Sequence, residues 1–194
     1  MGKNCWERAA ILYWHGQTDK LMLKQMINEA EIGYYSTALT LCSMWCFILS
    51  AVIDSAYPSI MEAGKTQNES LFQRRNVQLY AIVFYLSVFV SLCFTVLARP
   101  LISIMYGASY FPAAAPLRIV TWYTAFSYLG VARNAWIVAK ERQKHLFWIY
   151  ASSAIANVFL NYLLIPSMGA SGAAIASLAA QVFTTLVMPF FIKD

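Results

Sequence analysis

The sequence predicts an all-α integral membrane protein: a helical bundle of five strong transmembrane helices plus a polar sixth at the N-terminus. Three observations predict it. Of the 194 residues 60% are hydrophobic and 12% charged, where a soluble domain carries roughly 25% charged residues. The apolar residues gather in segments at about 34 to 57, 78 to 98, 116 to 138, 146 to 166 and 171 to 191, each at or near the roughly 20 residues that carry a helix across about 30 Å of hydrocarbon. Lysine and arginine collect mainly between those segments.

Residues 1 to 33 form a unit of their own ahead of the five-helix bundle at 34 to 194. Ala9-Ala-Ile-Leu-Tyr-Trp and Leu21-Met-Leu-Lys-Gln-Met-Ile are helical in pattern, with Asp19 and Lys20 between them. An ionisable pair at membrane depth costs about 2.5–3.5 kcal/mol per residue, so a lone helix would resist insertion and a bundle facing an aqueous cavity would accept it. The expectation is a shortened, polar transmembrane helix, and the alternative is an amphipathic helix lying in the interface. The opening Met1-Gly-Lys-Asn-Cys-Trp-Glu-Arg makes a poor signal peptide, because the apolar run after it is cut by His15, Gln17 and Asp19.

In the first strong span Ser50 and Asp54 share a face near the far end, where Asp54 is expected to reach the interface. The mixed-charge stretch from Glu62 to Asn76 reads as a short surface helix with its connector. The second span, rich in Val, Phe and Leu with no charge between Tyr80 and Ala98, is the one expected to face lipid. Pro100-Leu-Ile-Ser-Ile-Met-Tyr-Gly107 reads as a short interfacial helix stopped by glycine, and Pro116 suits the first turn of the third span, where no amide donor is needed. Trp122, Tyr123, Trp136, Trp148 and Tyr150 fall near span ends, where amphipathic rings anchor a helix.

The fourth and fifth spans form an antiparallel hairpin. Val158-Phe-Leu-Asn-Tyr-Leu-Leu-Ile-Pro166 closes the first arm, Gly169-Ala-Ser-Gly makes the turn, and Ala173-Ala-Ile-Ala-Ser-Leu opens the second. Ser153, Asn157 and Asn161 recur every four residues and share one face, which lipid would leave unsatisfied at several kcal/mol per group. That face should meet protein or water. Gly169, Ala173 and Ser177, and likewise Gly172, Ala176 and Ala180, form small-residue ladders that let helices approach closely. Pro189 is placed to kink the last span.

Charge sets the orientation. Lys65, Arg74 and Arg75 follow the first span, Lys140, Arg142 and Lys144 follow the third, and Lys193 ends the chain. By the positive-inside rule these regions and the C-terminus are cytoplasmic, and residue 33 lies outside. The net charge of +5 is thereby accounted for without a nucleic-acid partner. Cys42, Cys46 and Cys93 lie inside apolar runs and Cys5 stands alone, which excludes a disulfide framework and zinc spacing. His15 and His145 are isolated, so neither a metal nor a cofactor is expected. No phosphate loop, HExxH or GxSxG occurs, and the chain is not expected to be an enzyme.

The polar groups in or beside the spans are the candidates for function: Asp19, Lys20, Asp54, Arg118, Arg133, Asn134, Asn157, Asn161 and Gln181. Together they could line a hydrophilic path. Arg118 and Arg133 bracket the third span, and each either snorkels to head groups or binds an anion, since a guanidinium takes phosphate oxygens through two donors.

Several segments together carry a resemblance: Gln17-Thr-Asp-Lys-Leu-Met-Leu, Ile32-Gly-Tyr-Tyr-Ser-Thr-Ala, Tyr57-Pro-Ser-Ile, Leu101-Ile-Ser-Ile-Met-Tyr-Gly107 and the hairpin opening from Asn157 to Leu178. In order and spacing the chain resembles the C-terminal half of a polysaccharide (O-antigen, Wzx-type) flippase of the multidrug/oligosaccharidyl-lipid/polysaccharide exporter superfamily. The resemblance implies that residues 9 to 28 correspond to the seventh of twelve helices and the five strong spans to the remaining five. It implies a multi-pass protein of the bacterial cytoplasmic (inner) membrane, serving lipopolysaccharide and cell-envelope synthesis. The substrate it implies is an undecaprenyl-pyrophosphate-linked oligosaccharide, flipped by alternating access between two six-helix bundles. Asp19, Lys20, Arg118, Asn157 and Asn161 would then face the cavity, with the basic groups on the pyrophosphate. A cavity between two halves needs both, so the expected partners are membrane lipid, the lipid-linked oligosaccharide, and a second transporter half or another copy. The alternatives are an ion-coupled drug exporter of the same superfamily and a non-transporting membrane interaction protein whose small-residue face holds a partner.

Overall fold

The computed structural model describes residues 17–65, 69–139 and 144–187. The helical pattern at 9–14, Cys5, His15, Lys140, Arg142, Pro189 and Lys193, with the readings attached to them, lie outside those residues. Helix α1 (17–26) ends where the Ile27 amide bonds the Leu23 carbonyl at 3.0 Å. Helix α2 (Glu29–Lys65) starts at a cap, the Asn28 Oδ1 accepting the Glu31 amide at 3.0 Å. Helix α3 (Glu69–Tyr106), a 3-10 helix (Ala108–Ala113), α4 (Ala114–Ala139), α5 (Lys144–Val182) and a π-helical turn (Phe183–Val187) follow. No strand occurs among the described residues. Three stretches, Glu29–Lys65, Glu69–Tyr106 and Trp148–Leu186, are long and apolar enough to cross a membrane. The chain is an all-α membrane protein built as a helical bundle.

α5 is not one straight rod. Gly169 has φ 55° and ψ −133°, a conformation open to glycine, and the helix turns back on itself there. The Asn157 Nδ2 reaches the Ser177 Oγ at 3.0 Å, although 20 residues would set them about 30 Å apart along a straight helix. The arms approach closely at Gly172, where a Cβ would stand 2.4 Å from the Leu164 carbonyl oxygen. Ala173, Ala174, Ala176 and Ala180 are fully buried along the same arm, so the small residues are spent on close packing between helices. Glu31, in the first turn of α2, closes the bend: its Oε2 accepts the Ala170 amide at 2.6 Å. A carboxylate at a free helix N-terminus answers both the unpaired amides and the helix dipole.

α4 lies at the centre, packed against α2, α3 and α5. It buries Leu117, Val120, Ala125, Ala132 and Ile137 together with Thr121, Thr124 and Ser127. The Thr121 hydroxyl donates to Ser91 Oγ of α3 at 3.3 Å and the Thr124 hydroxyl to the Val120 carbonyl at 2.9 Å, while Ser91 donates to the Thr121 carbonyl at 3.1 Å and Trp122 Nε1 to Thr95 Oγ1 at 3.2 Å. Interior position and interhelical bonding explain why this 26-residue helix carries so many polar side chains. α3 is the opposite case. Only 22% of its most apolar window is buried, and Tyr85, Phe89 and Val96 stand well exposed, leaving an apolar face for lipid as its composition suggests.

Two sequence expectations change. The stretch from Glu62 to Asn76 is no separate surface helix. Its described residues are the end of α2 and the start of α3, helices of 37 and 38 residues. At about 1.5 Å per residue each far exceeds the roughly 30 Å of hydrocarbon, and Glu, Lys, Gln and Arg are good helix formers outside it. Similarly, residues 100–106 continue α3 straight through Pro100. What stops the helix is Gly107, at φ 80°.

The core divides between the two ends of the bundle. Near the α5 bend, Leu23, Tyr35, Leu41, Ile102, Leu117 and Ile165 pack together. Towards the far ends of α2 and α4, Leu49, Ile53, Phe72, Leu79 and Val83 do so.

Candidate functional site

The stripe on the first arm of α5 is turned inward, with Ser153, Asn157 and Asn161 all buried. Opposite it stands Ser177 on the second arm, also buried, eight residues past Gly169 as Asn161 is eight before it. Both therefore lie about 12 Å from the bend. Into the space between the arms and α2 comes Asp19 of α1, only 1% exposed.

Its carboxylate gathers three donors. Asn161 Nδ2 bonds Oδ1 at 2.6 Å, while Tyr35 Oη and Ser177 Oγ both bond Oδ2, at 2.5 and 2.6 Å. Such short lengths are those of hydrogen bonds donated to a carboxylate. The donors are themselves held. Asn161 gives its second amide hydrogen to Asn157 Oδ1 at 3.1 Å, and Asn157 Nδ2 donates to Ser177 Oγ at 3.0 Å. Tyr123 of α4, buried in the same core, stands within electrostatic reach of Asp19. One acceptor is left over: the buried Asn161 Oδ1 has no hydrogen-bond partner.

Asp19, Asn157 and Asn161, singled out in the sequence, thus meet in one cluster. Lys20 and Arg118 do not join it. Lys20 follows Asp19 by one position, about 100° round the helix, and is half-buried outside the network; Arg118 is exposed on the first turns of α4. Tyr35, Ser177 and Tyr123 complete the cluster, and sequence reasoning gave them other roles or none. Ser177 was legible as a small residue, and Tyr123 as an interfacial anchor, whereas it is buried.

A second polar site lies further along the hairpin. Arg133 near the end of α4 is buried and donates from Nη1 to the Thr184 carbonyl, in the π-helical turn, at 2.6 Å. Asn134 donates from Nδ2 to the Tyr150 hydroxyl. Arg133 Nε and Asn134 Oδ1 are buried without partners. Asp54, by contrast, is exposed on α2, and Gln181 is engaged with Thr185 Oγ1 at 3.2 Å. Among the described residues no three His, Cys, Asp or Glu side chains group as metal ligands.

No curated protein and no solved structure matches the chain. A family model described as "Polysaccharide biosynthesis protein" matches residues 1–115. That region carries Asp19, Tyr35 and Glu31, together with α1, α2 and α3, and it makes up more than half of the sequence. The chain belongs to the polysaccharide biosynthesis protein family.

Proposed function

We propose that the chain exports polysaccharide precursors, flipping a lipid-linked oligosaccharide across the bacterial cytoplasmic membrane together with a second bundle supplied by another chain or another copy. The observation that carries this reading is the Asp19 cluster. An ionised carboxylate inside a membrane bundle is expensive and marks function by default. Here it ties three elements that must move if a cavity is to open alternately: α1, α2 through Tyr35, and both arms of α5 through Asn161 and Ser177.

Neutralisation of Asp19 supplies the switch. A proton on Oδ2 turns an acceptor into a donor, so Tyr35 and Ser177 can no longer both donate to it. A monovalent cation bound there draws the carboxylate oxygens and the unpaired Asn161 Oδ1 towards itself and competes with the same donors. Either event loosens α2 from the hairpin, and loss of the ion restores the contacts. The positive-inside orientation puts the α5 bend, with Arg118, on the outer side and the Arg133 end at the cytoplasm. Lys20 and Arg118, outside the cluster, are assigned to the substrate's pyrophosphate at the outer end.

The test is transport of a fluorescent lipid-linked oligosaccharide in membrane vesicles carrying the full chain and its partner bundle. Asp19→Asn keeps the shape and removes the charge. It should lower transport at least tenfold at unchanged protein level, and Lys20→Ala and Arg118→Ala should weaken substrate affinity. Transport by Asp19→Asn at the wild-type rate would remove the cluster from the mechanism.

A further inference from the structure

Arg133 is the one buried cation of the described residues whose charge the surrounding structure does not answer. It is 8% exposed. Its single hydrogen bond runs from Nη1 to the Thr184 carbonyl at 2.6 Å, and its Nε has no partner. Among the described residues, Tyr80 of α3 and Tyr150 of α5 are the side chains that act on its charge, and no carboxylate is paired with it. A guanidinium moved from water into a low-dielectric interior loses several kcal/mol that neutral partners return only in part, so a buried arginine ordinarily has an anion beside it. The Nε–Nη2 edge of the fork, left free by the Nη1 bond, is the edge that binds carboxylate or phosphate oxygens side-on through two parallel donors.

The surroundings fix the kind of anion. Thr184 lies 15 residues past Gly169, about 22 Å along the second arm from the bend. The site therefore sits near the opposite end of the bundle from the bend, at the depth of a membrane boundary. Lys65 at the end of α2 and Arg74 and Arg75 at the start of α3 make that end of the bundle basic. Exposed apolar side chains of α3, Val77 and Phe84 among them, border that end on the lipid side. A ligand with an anionic head and a hydrocarbon tail suits both features.

We propose that the free edge of Arg133 binds the phosphate group of a membrane amphiphile at the cytoplasmic end of the bundle, separate from the Asp19 cluster. The phosphate has two possible sources, the isoprenoid pyrophosphate of a transport substrate and the head group of an anionic phospholipid. Only the first depends on the transport reading above.

Binding to the purified full chain in a nonionic detergent tests this with three probes: undecaprenyl pyrophosphate, phosphatidylglycerol, and undecaprenol as the phosphate-free control. The wild type should bind at least one phosphate probe ten times more tightly than undecaprenol. Arg133→Gln, which keeps a donor for Thr184 but no charge, should abolish that preference, and Arg133→Lys, which keeps the charge without the fork, should retain part of it. Loss of undecaprenyl pyrophosphate binding alone identifies the substrate as the source, and loss of phosphatidylglycerol binding alone identifies the lipid. If Arg133→Gln does not fold, Arg133→Lys decides, with a several-fold loss expected for the phosphate probe and none for undecaprenol. No phosphate preference in the wild type, or one unchanged by these substitutions, overturns the proposal. Because this binding assay does not read transport, failure of the vesicle assay with the partner bundle present would sink the transport reading and leave this one standing.

Discussion

Replacing Gly172 with alanine pits two effects of similar size against each other. The new Cβ would stand 2.4 Å from the Leu164 carbonyl oxygen, 2.7 Å from its carbon and 3.1 Å from the Ile165 amide nitrogen. All three obstacles are backbone of the facing arm, so no rotamer change relieves them. The arms must part by about 1 Å there to regain ordinary van der Waals contact. In favour of the substitution, alanine in a helix gains about 1 kcal/mol over glycine. Against it, overpacking of a close-packed interface costs typically about 1–3 kcal/mol. The shift also strains the 3.0 Å Asn157–Ser177 bond, and interhelical bonds in membranes are worth about 0.6–1.7 kcal/mol. The expected net is a destabilisation of about 1–2 kcal/mol for Gly172→Ala and more for Gly172→Leu. Unfolding of the full chain in mixed dodecylmaltoside/SDS micelles measures it. A Gly172→Ala chain as stable as the wild type, or more stable, would mean that helix propensity outweighs the clash and that the arms are not in contact at Leu164.

Two further substitutions probe the bend and its surroundings. Gly169→Ala carries both a φ of 55° with ψ −133° and a Cβ 2.4 Å from the Glu31 Oε2, so it should cost about 1–3 kcal/mol from the backbone alone and more from the contact. Since a flexible side chain causes the contact, Glu31→Ala should relieve part of it, and a double-mutant cycle should show coupling of about 0.5 kcal/mol or more; strict additivity would refute the contact. Gly33 has nothing within 4 Å of its would-be Cβ and helical backbone, so Gly33→Ala should be neutral or stabilise by up to about 1 kcal/mol in the same unfolding assay.

The amide stripe was legible because two asparagines four residues apart in an apolar run can only mean one inward helix face. The antiparallel hairpin was legible from its turn and its small residues. Tyr35 and Tyr123 were hidden, since a tyrosine near a span end has an ordinary interfacial use and sequence gives no depth coordinate. Ser177 was hidden behind its size: it packs as a small residue and also donates to Asp19. Lys20 lies one position from Asp19, about 100° round the helix, and so stands outside the cluster. The lengths of α2 and α3 were missed because hydropathy marks where hydrocarbon ends, while helical hydrogen bonding ends only where a cap or glycine such as Gly107 ends it.

Asp19 and Arg133 carry opposite charges in the same bundle, yet neither can serve as the other's counter-ion. Asp19 binds Ser177 and Arg133 binds the Thr184 carbonyl, positions seven residues apart, or about 10 Å along the second arm. At an effective dielectric constant of about 20, unit charges at that distance attract by about 1.7 kcal/mol, less than the several kcal/mol that burial costs each ion. Asp19 is answered instead by its three protein donors, and the same field couples the two sites. A phosphate held beyond Arg133 lies roughly 10–15 Å from the Asp19 carboxylate and is repelled by about 1–1.7 kcal/mol per charge. Neutralising Asp19 removes that repulsion, and by linkage a bound phosphate favours neutral Asp19 to the same degree. Asp19→Asn should accordingly tighten the binding of undecaprenyl pyrophosphate by roughly five- to twentyfold for each negative charge it carries at low salt, in the very variant expected to transport least. An affinity that is unchanged or weaker in Asp19→Asn would show that the two sites do not share a field, and with it would fall the idea that charge at Asp19 times the acceptance of a phosphate at the opposite end.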